Sequence, residues 1–510
     1  MRIAGKTARD PRSGIVDVWR REVGFLAPRA FARRYGASED LVLRLGIHRK
    51  LKQHTGCVNC ISFNANGNIL VSGSDDKKVI LWDWETGFVK LSFSSGHKNN
   101  IFQARFMPSS DDRTIVTCAA DGEVRLAVLQ DGGYFVTTLL AKHDGRAHKI
   151  AIKPGSPHIF YSCSEDGLVQ HFDLRTRSAT KLFKCQAFQE KSFYMPIVHL
   201  NAIAIDPANH NLFAIAGSEE FARVYDIRKC RWDGKSCRKP VDCFCPLHLI
   251  GENEVEITGL AFSEQSELLV SYNGEQIYLF SKRHGLGPDP LCDALPHSMD
   301  MDDTSYTNEK SIYSSKENLN FEPEPEVYRG HSNRDTVKGV SFYGPHCEYV
   351  ASGSDCGRIF IWRKKGGELL RVMEADKYVV NCIEPHPWTT TLASSGIEHD
   401  IKIWIPNAVE PASPVDVSEV MLIYRGDSWF ASDGSDYDDS DDYNDEEDDD
   451  NDDDVDDDSD IDATDGSDED GDYEFVIDDY NRDDISNGKN DSEGDDNDTG
   501  MLPGSQDAKF

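Results

Sequence analysis

Histidine and aspartate recur in this chain at spacings that suit proton transfer. His54 precedes Asp76 by 22 residues, His97 precedes Asp121 by 24, and His143 precedes Asp166 by 23. An imidazole held by a carboxylate is the pair from which general bases are made. Yet no nucleophile stands at a matching spacing, and the pair returns at a nearly constant interval. A repeated His–Asp pair is expected to satisfy polar atoms buried inside a repeated unit rather than to turn over a substrate. No glycine loop of the P-loop or dinucleotide-binding type is present. The expectation is a chain with no catalytic residues and no cofactor.

A second group that could do chemistry is Cys230, Cys237, Cys243, Cys245 and His248, at intervals of 7, 6, 2 and 3 positions. Zinc sites pair cysteines two to four residues apart, so this run reads as ordinary thiols in a loop and no metal is expected. Most other cysteines, such as Cys57, Cys60, Cys118, Cys163, Cys356 and Cys382, lie in or beside apolar strand patterns. There a free thiol acts as a small hydrophobe, which points to a reducing compartment, nucleus and/or cytoplasm. No basic-then-apolar leader and no apolar run long enough for a bilayer is found, so no membrane partner is expected.

The elements that position these residues are repeats. Residues 72–84 read SGSDDKKVILWDW, a strand, a tight Asp-rich turn and a second strand. Echoes follow at 117–127 (TCAADGEVRLA), 162–172 (SCSEDGLVQHF), 215–225 (IAGSEEFARVY), 270–280 (VSYNGEQIYLF), 351–362 (ASGSDCGRIFIW) and 393–404 (ASSGIEHDIKIW). Their anchor positions are Trp82, Ala127, Phe172, Tyr225, Phe280, Trp362 and Trp404. The first three stand 45 residues apart and the last two 42. That period suits a four-stranded propeller blade of roughly 40–45 residues. The fold expected is all-β: a seven-bladed propeller over 41–425. The alternating stretch 41–51 is expected as a strand that completes the last blade and removes the open edge.

Three regions stand apart from the repeats. Residues 1–40 are basic, with apolar positions suggesting one or two short helices broken at Pro28 and arginines on a solvated face. Residues 286–326 are rich in Pro, Ser and acids, and read as a disordered insertion. Residues 426–510 read as a disordered acidic tail. Between 431 and 500 there are 35 Asp and Glu against only Arg482 and Lys489, so the first 430 residues carry just −3 of the net −36. Such a tail keeps a protein soluble; histones or other basic proteins are candidate partners for it, and direct nucleic-acid binding is not expected.

The repeats resemble WD40 repeats. In that family Asp, His, a Ser or Thr and the Trp form a hydrogen-bonded brace within each blade. The resemblance implies braces of His54, Asp76 and Trp82, of His97 and Asp121, and of His143 and Asp166. His331, Trp362 and Trp404 hold corresponding places in the last two blades. Departures are Glu219 and Glu398 for Asp, Cys356 for Asp, and Ala127 for Trp; the fifth unit has neither His nor Asp in place.

Two unit endings carry a sharper likeness. Phe172-Asp173-Leu174-Arg175 and Tyr225-Asp226-Ile227-Arg228 close consecutive units. Both resemble, with Phe or Tyr for Trp, the DWD box of WD40 proteins that dock on the damaged-DNA-binding adaptor of cullin-RING ubiquitin ligases. That likeness implies a docking role for Asp173, Arg175, Asp226 and Arg228. The segments GCVNCISFN (56–64), SGSDDKKVILWDWETG (72–87), FCPLHLI (244–250), YRGH (328–331) and SGIEHDIKIW (395–404) resemble the DCAF substrate receptors, eighth type, over about residues 35–425. The function this implies is recruitment of a protein substrate, of unknown identity, to the ligase adaptor. The alternative is a general WD40 scaffold, with chromatin binding through the acidic tail.

Overall fold

A computed structural model describes residues 11–188, 197–230, 239–252, 254–290, 324–413 and 415. Among them are seven four-stranded antiparallel sheets, six of which pair their strands in chain order. They span 58–94, 101–142, 147–184, 200–244, 257–328 and 340–374. The seventh sheet, 380–406, has three strands from its own segment. Its fourth comes from the other end of the propeller: Leu45–Lys52 pairs antiparallel with Asp400–Pro406, from Leu45 opposite Pro406 to Lys52 opposite Asp400. The ring is closed by hydrogen bonds between its first and last strands, as the sequence leads one to expect. The fold is a seven-bladed β-propeller.

The inner strands of the blades are buried on both faces rather than alternating, as in Leu70–Ser74 and Ile159–Ser164, whereas outer strands such as Phe88–Ser94 are largely exposed. The buried side chains gather into seven clusters, each lying between two consecutive blades. The closure is one of them, joining Leu51, Ile80 and Trp82 to Ala393, Ile401 and Ile403. The turns between second and third strands share one design. Lys77, Gly122 and Gly167 each donate a backbone N–H three residues back, to Ser74, Ala119 and Ser164. Each then takes a left-handed φ, of 62°, 77° and 76°. The aspartate just before it is thereby aimed back into the blade.

The expected strand over 41–51 begins later than the alternation suggests. Three helices precede it: α1 (Pro11–Glu22), α2 (Pro28–Tyr35) and α3 (Glu39–Leu43). Val42 and Leu45 are both buried against the cluster between blades 6 and 7. A helical turn puts positions three apart on one side, whereas a strand would send them to opposite faces. Pro28 opens α2 at its first turn, where its missing N–H costs nothing. The arginines of the extension do more than face water. Arg29 lies 4.5 Å over the Trp388 ring, Arg33 reaches Glu264 at 3.1 Å, and Arg34 holds Asp17 at 2.7 Å. The stretch 291–323 of the acid-rich insertion, and the tail from 416 onward, lie outside the described residues. So do residues 417–424, where the sequence suggests a short helix. Among the described residues no helix is long and apolar enough to cross a membrane.

Candidate functional site

The His–Asp pairs sit where the loop entering each blade meets the turn between its second and third strands. His54 Nδ1 lies 2.8 Å from Asp76 Oδ2, and its Nε2 lies 2.7 Å from Ser72 Oγ, which also accepts from Trp82 Nε1 at 2.9 Å. In blade 2, His97 bridges Asp121 (3.1 Å) and Thr117 Oγ1 (2.9 Å). In blade 3, His143 bridges Asp166 (3.2 Å) and Ser162 Oγ (2.7 Å). A hydroxyl therefore does stand against each imidazole, ten residues before the anchor position, where the sequence reading saw no matching nucleophile. These are the contacts of a hydrolase triad. They are sealed, however: Ser72, Thr117 and Ser162 are all at most 1 % exposed. Burial lowers the pKa of His54 and His97, although the facing carboxylates oppose it, and Nδ1–H of each ring donates to a carboxylate that can only accept. Burial opposes ionisation of Asp76, Asp121 and Asp166 too. Their hydrogen bonds from histidine and backbone N–H groups prevail, and all three carboxyls fall below the usual range. The arrangement fastens loop to turn and offers no atom to a substrate.

The units that depart from the pattern use other pairs at the same place. In blade 4, Arg223 is buried and forks onto Glu219, with the Phe188 ring 3.8 Å from its guanidinium. In blade 7, buried Lys402 pairs with Glu398 and with Asp400 at 2.6 Å. Burial would lower its pKa, but these carboxylates, with Asp376 nearby, raise it. Arg223 and Lys402 both stand two residues before their anchor, and their acids are the glutamates that replace aspartate. Trp404 keeps the usual bond, donating to Ser394 Oγ at 2.9 Å. Blade 6 differs most. Buried Lys338 pairs with Asp355, Trp362 Nε1 donates to Arg329 O at 2.8 Å, and His331 meets only the edge of Trp362. Neither His331 nitrogen has a hydrogen-bond partner among the described residues, and burial pushes its pKa down to about 4. Blade 5 is tied from outside: Asn333, on the loop into blade 6, donates to Thr258 Oγ1 and Tyr272 O, each at 2.8 Å.

At the opposite end of the blades, the third strands of blades 3 and 4, Leu168–Asp173 and Ala222–Asp226, each end in the same fork. Arg175 donates from Nε (3.0 Å) and Nη2 (2.7 Å) to the two oxygens of Asp173. Arg228 does so to Asp226 at the same two distances. Each aspartate also accepts its arginine's backbone N–H at 3.0 Å, so the turn holds the carboxylate before the side chain arrives. The Arg175 hydrogen bond holds the Asp173 pKa near 2. The arginine side chains remain 60 % and 66 % exposed while the aspartates are 14 % and 8 % exposed. Of a guanidinium's five N–H donors, two are taken in each fork and three are left over. Blades 3 and 4 thus present two oriented cations on one face.

Sequence reasoning missed the arginine at the corresponding place in blade 5, which forms no such fork. Arg283 stands three residues after Phe280, as Arg175 and Arg228 stand after their anchors, but Ser281 replaces the aspartate. Counting from the anchor, rather than looking for Asp-x-Arg, would have found it. The loops joining first to second strands lie on this face as well. Through Asn66, Glu264, Pro345 and Trp388 they hold α2 and the residue after it. Of the cysteine run, Cys237 lies outside the described residues. Cys230, Cys243 and Cys245 are buried, and burial pushes the Cys243 thiol well up. The one group of possible ligand atoms brought together among the described residues is His97, Asp121 and Glu123, where Asp121 is the brace partner of His97 and Glu123 pairs with Arg125 at 2.8 Å.

Closed blades with these braces define the class: the chain is a WD40-repeat protein. The model of the WD domain, G-beta repeat, matches residues 47–83 and 324–363. Among individual proteins, the chain is similar to WD and tetratricopeptide repeats protein 1 of Mus musculus. The two are 33 % identical over 293 residues, 52 % of this chain and 42 % of the relative. Protein ALTERED SEED GERMINATION 2 of Arabidopsis thaliana is 30 % identical over 330 residues, 59 % of this chain and 43 % of the relative. DDB1- and CUL4-associated factor 6 of Mus musculus is 32 % identical over 275 residues, 52 % and 31 %. The chain thus spans less than half the length of each of these three relatives.

Proposed function

We propose that this WD40 protein is a substrate receptor that docks on a DDB1-type adaptor of a cullin-RING ligase, through Arg175 and Arg228. A further part of the proposal is functional kinship with the DCAF receptors of the eighth type, which the sequence segments resemble. The observation that carries the reading is the identical Asp–Arg fork at the end of two consecutive blades. An exposed guanidinium already oriented by its own aspartate loses little side-chain entropy on docking. It still offers outward donors to a partner's carboxylates or carbonyls. Similarity to a protein named as DDB1- and CUL4-associated supports the choice of adaptor. The ligase reading implies work in the nucleus and/or cytoplasm, with a protein substrate held elsewhere on the propeller.

The test is capture of adaptor by the purified double variant Arg175→Ala, Arg228→Ala. Truncating an arginine at a desolvated contact weakens binding by roughly thirtyfold or more, so the pair is expected to abolish capture while melting stays unchanged. Wild-type capture by the double variant would remove the docking role. A second reading, a chromatin scaffold, rests on the −33 charge of residues 431–500. Affinity capture from nuclear extract separates the two, since histones without adaptor would favour the scaffold.

A further inference from the structure

The outer strands of blades 4 and 5 are three residues each, Asp242–Phe244 and Glu326–Tyr328. In the other five blades the outer strand has six to eight residues. The shortfall leaves a groove of about 430 Å³ along the flank of blade 5. Val327 and Leu286, both half-buried, form its apolar floor, packed over Tyr278 and Phe280, which are themselves buried. One wall is fixed by backbone, since Leu286 N donates to Cys243 O at 2.8 Å and Gly287 N to Asp242 Oδ1 at 2.9 Å. Gly285 makes this possible, for a Cβ there would collide with the Asp242 carboxylate. Leu247, on the opposite wall, is 74 % exposed.

Charge is placed at both ends of this apolar floor. Arg283 and His284 follow the lower end of the third strand. Arg329 follows the upper end of the fourth, beside His248, whose Nε2 lies 3.3 Å from Tyr278 Oη. Neither Arg283 nor Arg329 makes an ion pair among the described residues; Glu324 is the carboxylate on the rim, and Glu275 accepts from Tyr278 at 3.3 Å. The distance between the arginine ends is about that of four extended residues, ~13 Å.

We infer that this groove binds an extended acidic peptide of a partner protein, with apolar side chains on the floor and a carboxylate toward each arginine. The site goes beyond adaptor docking and does not depend on it. Burial of one or two apolar side chains supplies the affinity, and the two cations set register and direction.

The test is selection from a display library of random nine-residue peptides against the purified full chain, followed by titration of the enriched peptide carrying fluorescein. Enriched sequences are expected to place Asp or Glu on both sides of a Leu, Phe or Tyr pair. Binding is expected to weaken at least about tenfold in Arg283→Glu with Arg329→Glu, and similarly in Leu247→Asp, with melting temperatures unchanged. These three side chains are exposed, so loss of folding is not the expected outcome. Basic or patternless enrichment would overturn the assignment, as would peptide binding that the arginine variant leaves intact. Binding that appears only after residues 294–320 are deleted would give the groove to the chain's own insertion, and would overturn an external partner.

Discussion

Replacing Asp166 by alanine removes the acceptor for three donors at once. His143 Nδ1 (3.2 Å), Leu168 N (2.9 Å) and Asp144 N (3.1 Å) all converge on its carboxylate. The His143 side chain is fully buried and that of Asp166 is 7 % exposed, whereas Asp144 N is near solvent and can turn to water. Two buried donors are therefore stranded, at about 1–3 kcal/mol each, with partial relaxation bringing the sum to roughly 2–4 kcal/mol. Unfolding entropy near 2.1 cal/mol/K per residue makes 1 kcal/mol worth only about 1.3 °C in a propeller of this size. The expected fall in melting temperature is thus about 3–5 °C. Asp131→Ala is the control, since that carboxylate is 98 % exposed and pairs only with Arg113, so its loss is expected within about 0.5 kcal/mol of zero. Differential scanning calorimetry of the two variants against the parent decides the matter. Equal melting temperatures for Asp166→Ala and Asp131→Ala would refute the claim that the brace carries stability.

Other outcomes follow from the unusual blades. His331 has a folded pKa near 4 against about 6.5 unfolded, so the unfolded chain binds the extra proton between those values. Its contribution is therefore intact above pH 6.5 and lost as pH falls toward 4. His331→Leu is expected to flatten the pH dependence of urea-unfolding stability there by up to about 1.4 kcal/mol per pH unit. An unchanged slope would show that His331 is not buried neutral. In blade 4, Arg223→Met removes the buried cation forked onto Glu219 and is expected to cost about 3–5 kcal/mol, while adding Glu219→Gln recovers most of it. A double-mutant cycle in urea measures the coupling; simple additivity would mean that the two side chains do not stabilise each other.

The endings Asp173-Leu174-Arg175 and Asp226-Ile227-Arg228 stood out in the sequence because each pair lies two residues apart at the close of a unit, but the fork each makes was seen only in the fold. The braces of blades 1 to 3 were legible because His and Asp keep their spacing from the anchor. Which Ser or Thr completes each brace was not, since a hydroxyl inside an apolar strand carries no mark of which ring it will face. Long-range contacts were equally hidden. Asp112 reads as a polar loop residue, yet it accepts from buried Asn64 at 2.7 Å, 48 positions away. Arg29, Arg33 and Arg34 read as a solvated face because Trp388, Glu264 and Asp17 become their neighbours only when chain ends and loops meet.

What blades 4, 6 and 7 lack is one pair of residue types rather than the link those residues make. Every blade must join the loop that enters it to the turn that caps its second strand, and the junction is buried. Donors and acceptors there have to find one another or be lost to the fold. A neutral histidine with an aspartate does this at little desolvation cost. Arg223, forked onto Glu219 and donating to Gln186 O at 2.7 Å, or Lys402, paired with Glu398 and Asp400 and 3.7 Å from Asp376, does it with full charges, which demand closer pairing because each ion left alone would be costly. The cation approaches from the third strand, two residues before the anchor, and the acid from the turn, four residues before the cation. Histidine approaches instead from the preceding loop, more than twenty residues away. The same junction is therefore served from opposite directions in sequence. A search for His and Asp finds three such junctions, whereas a search for whatever buried polar pair faces the turn finds them in blades 4, 6 and 7 as well.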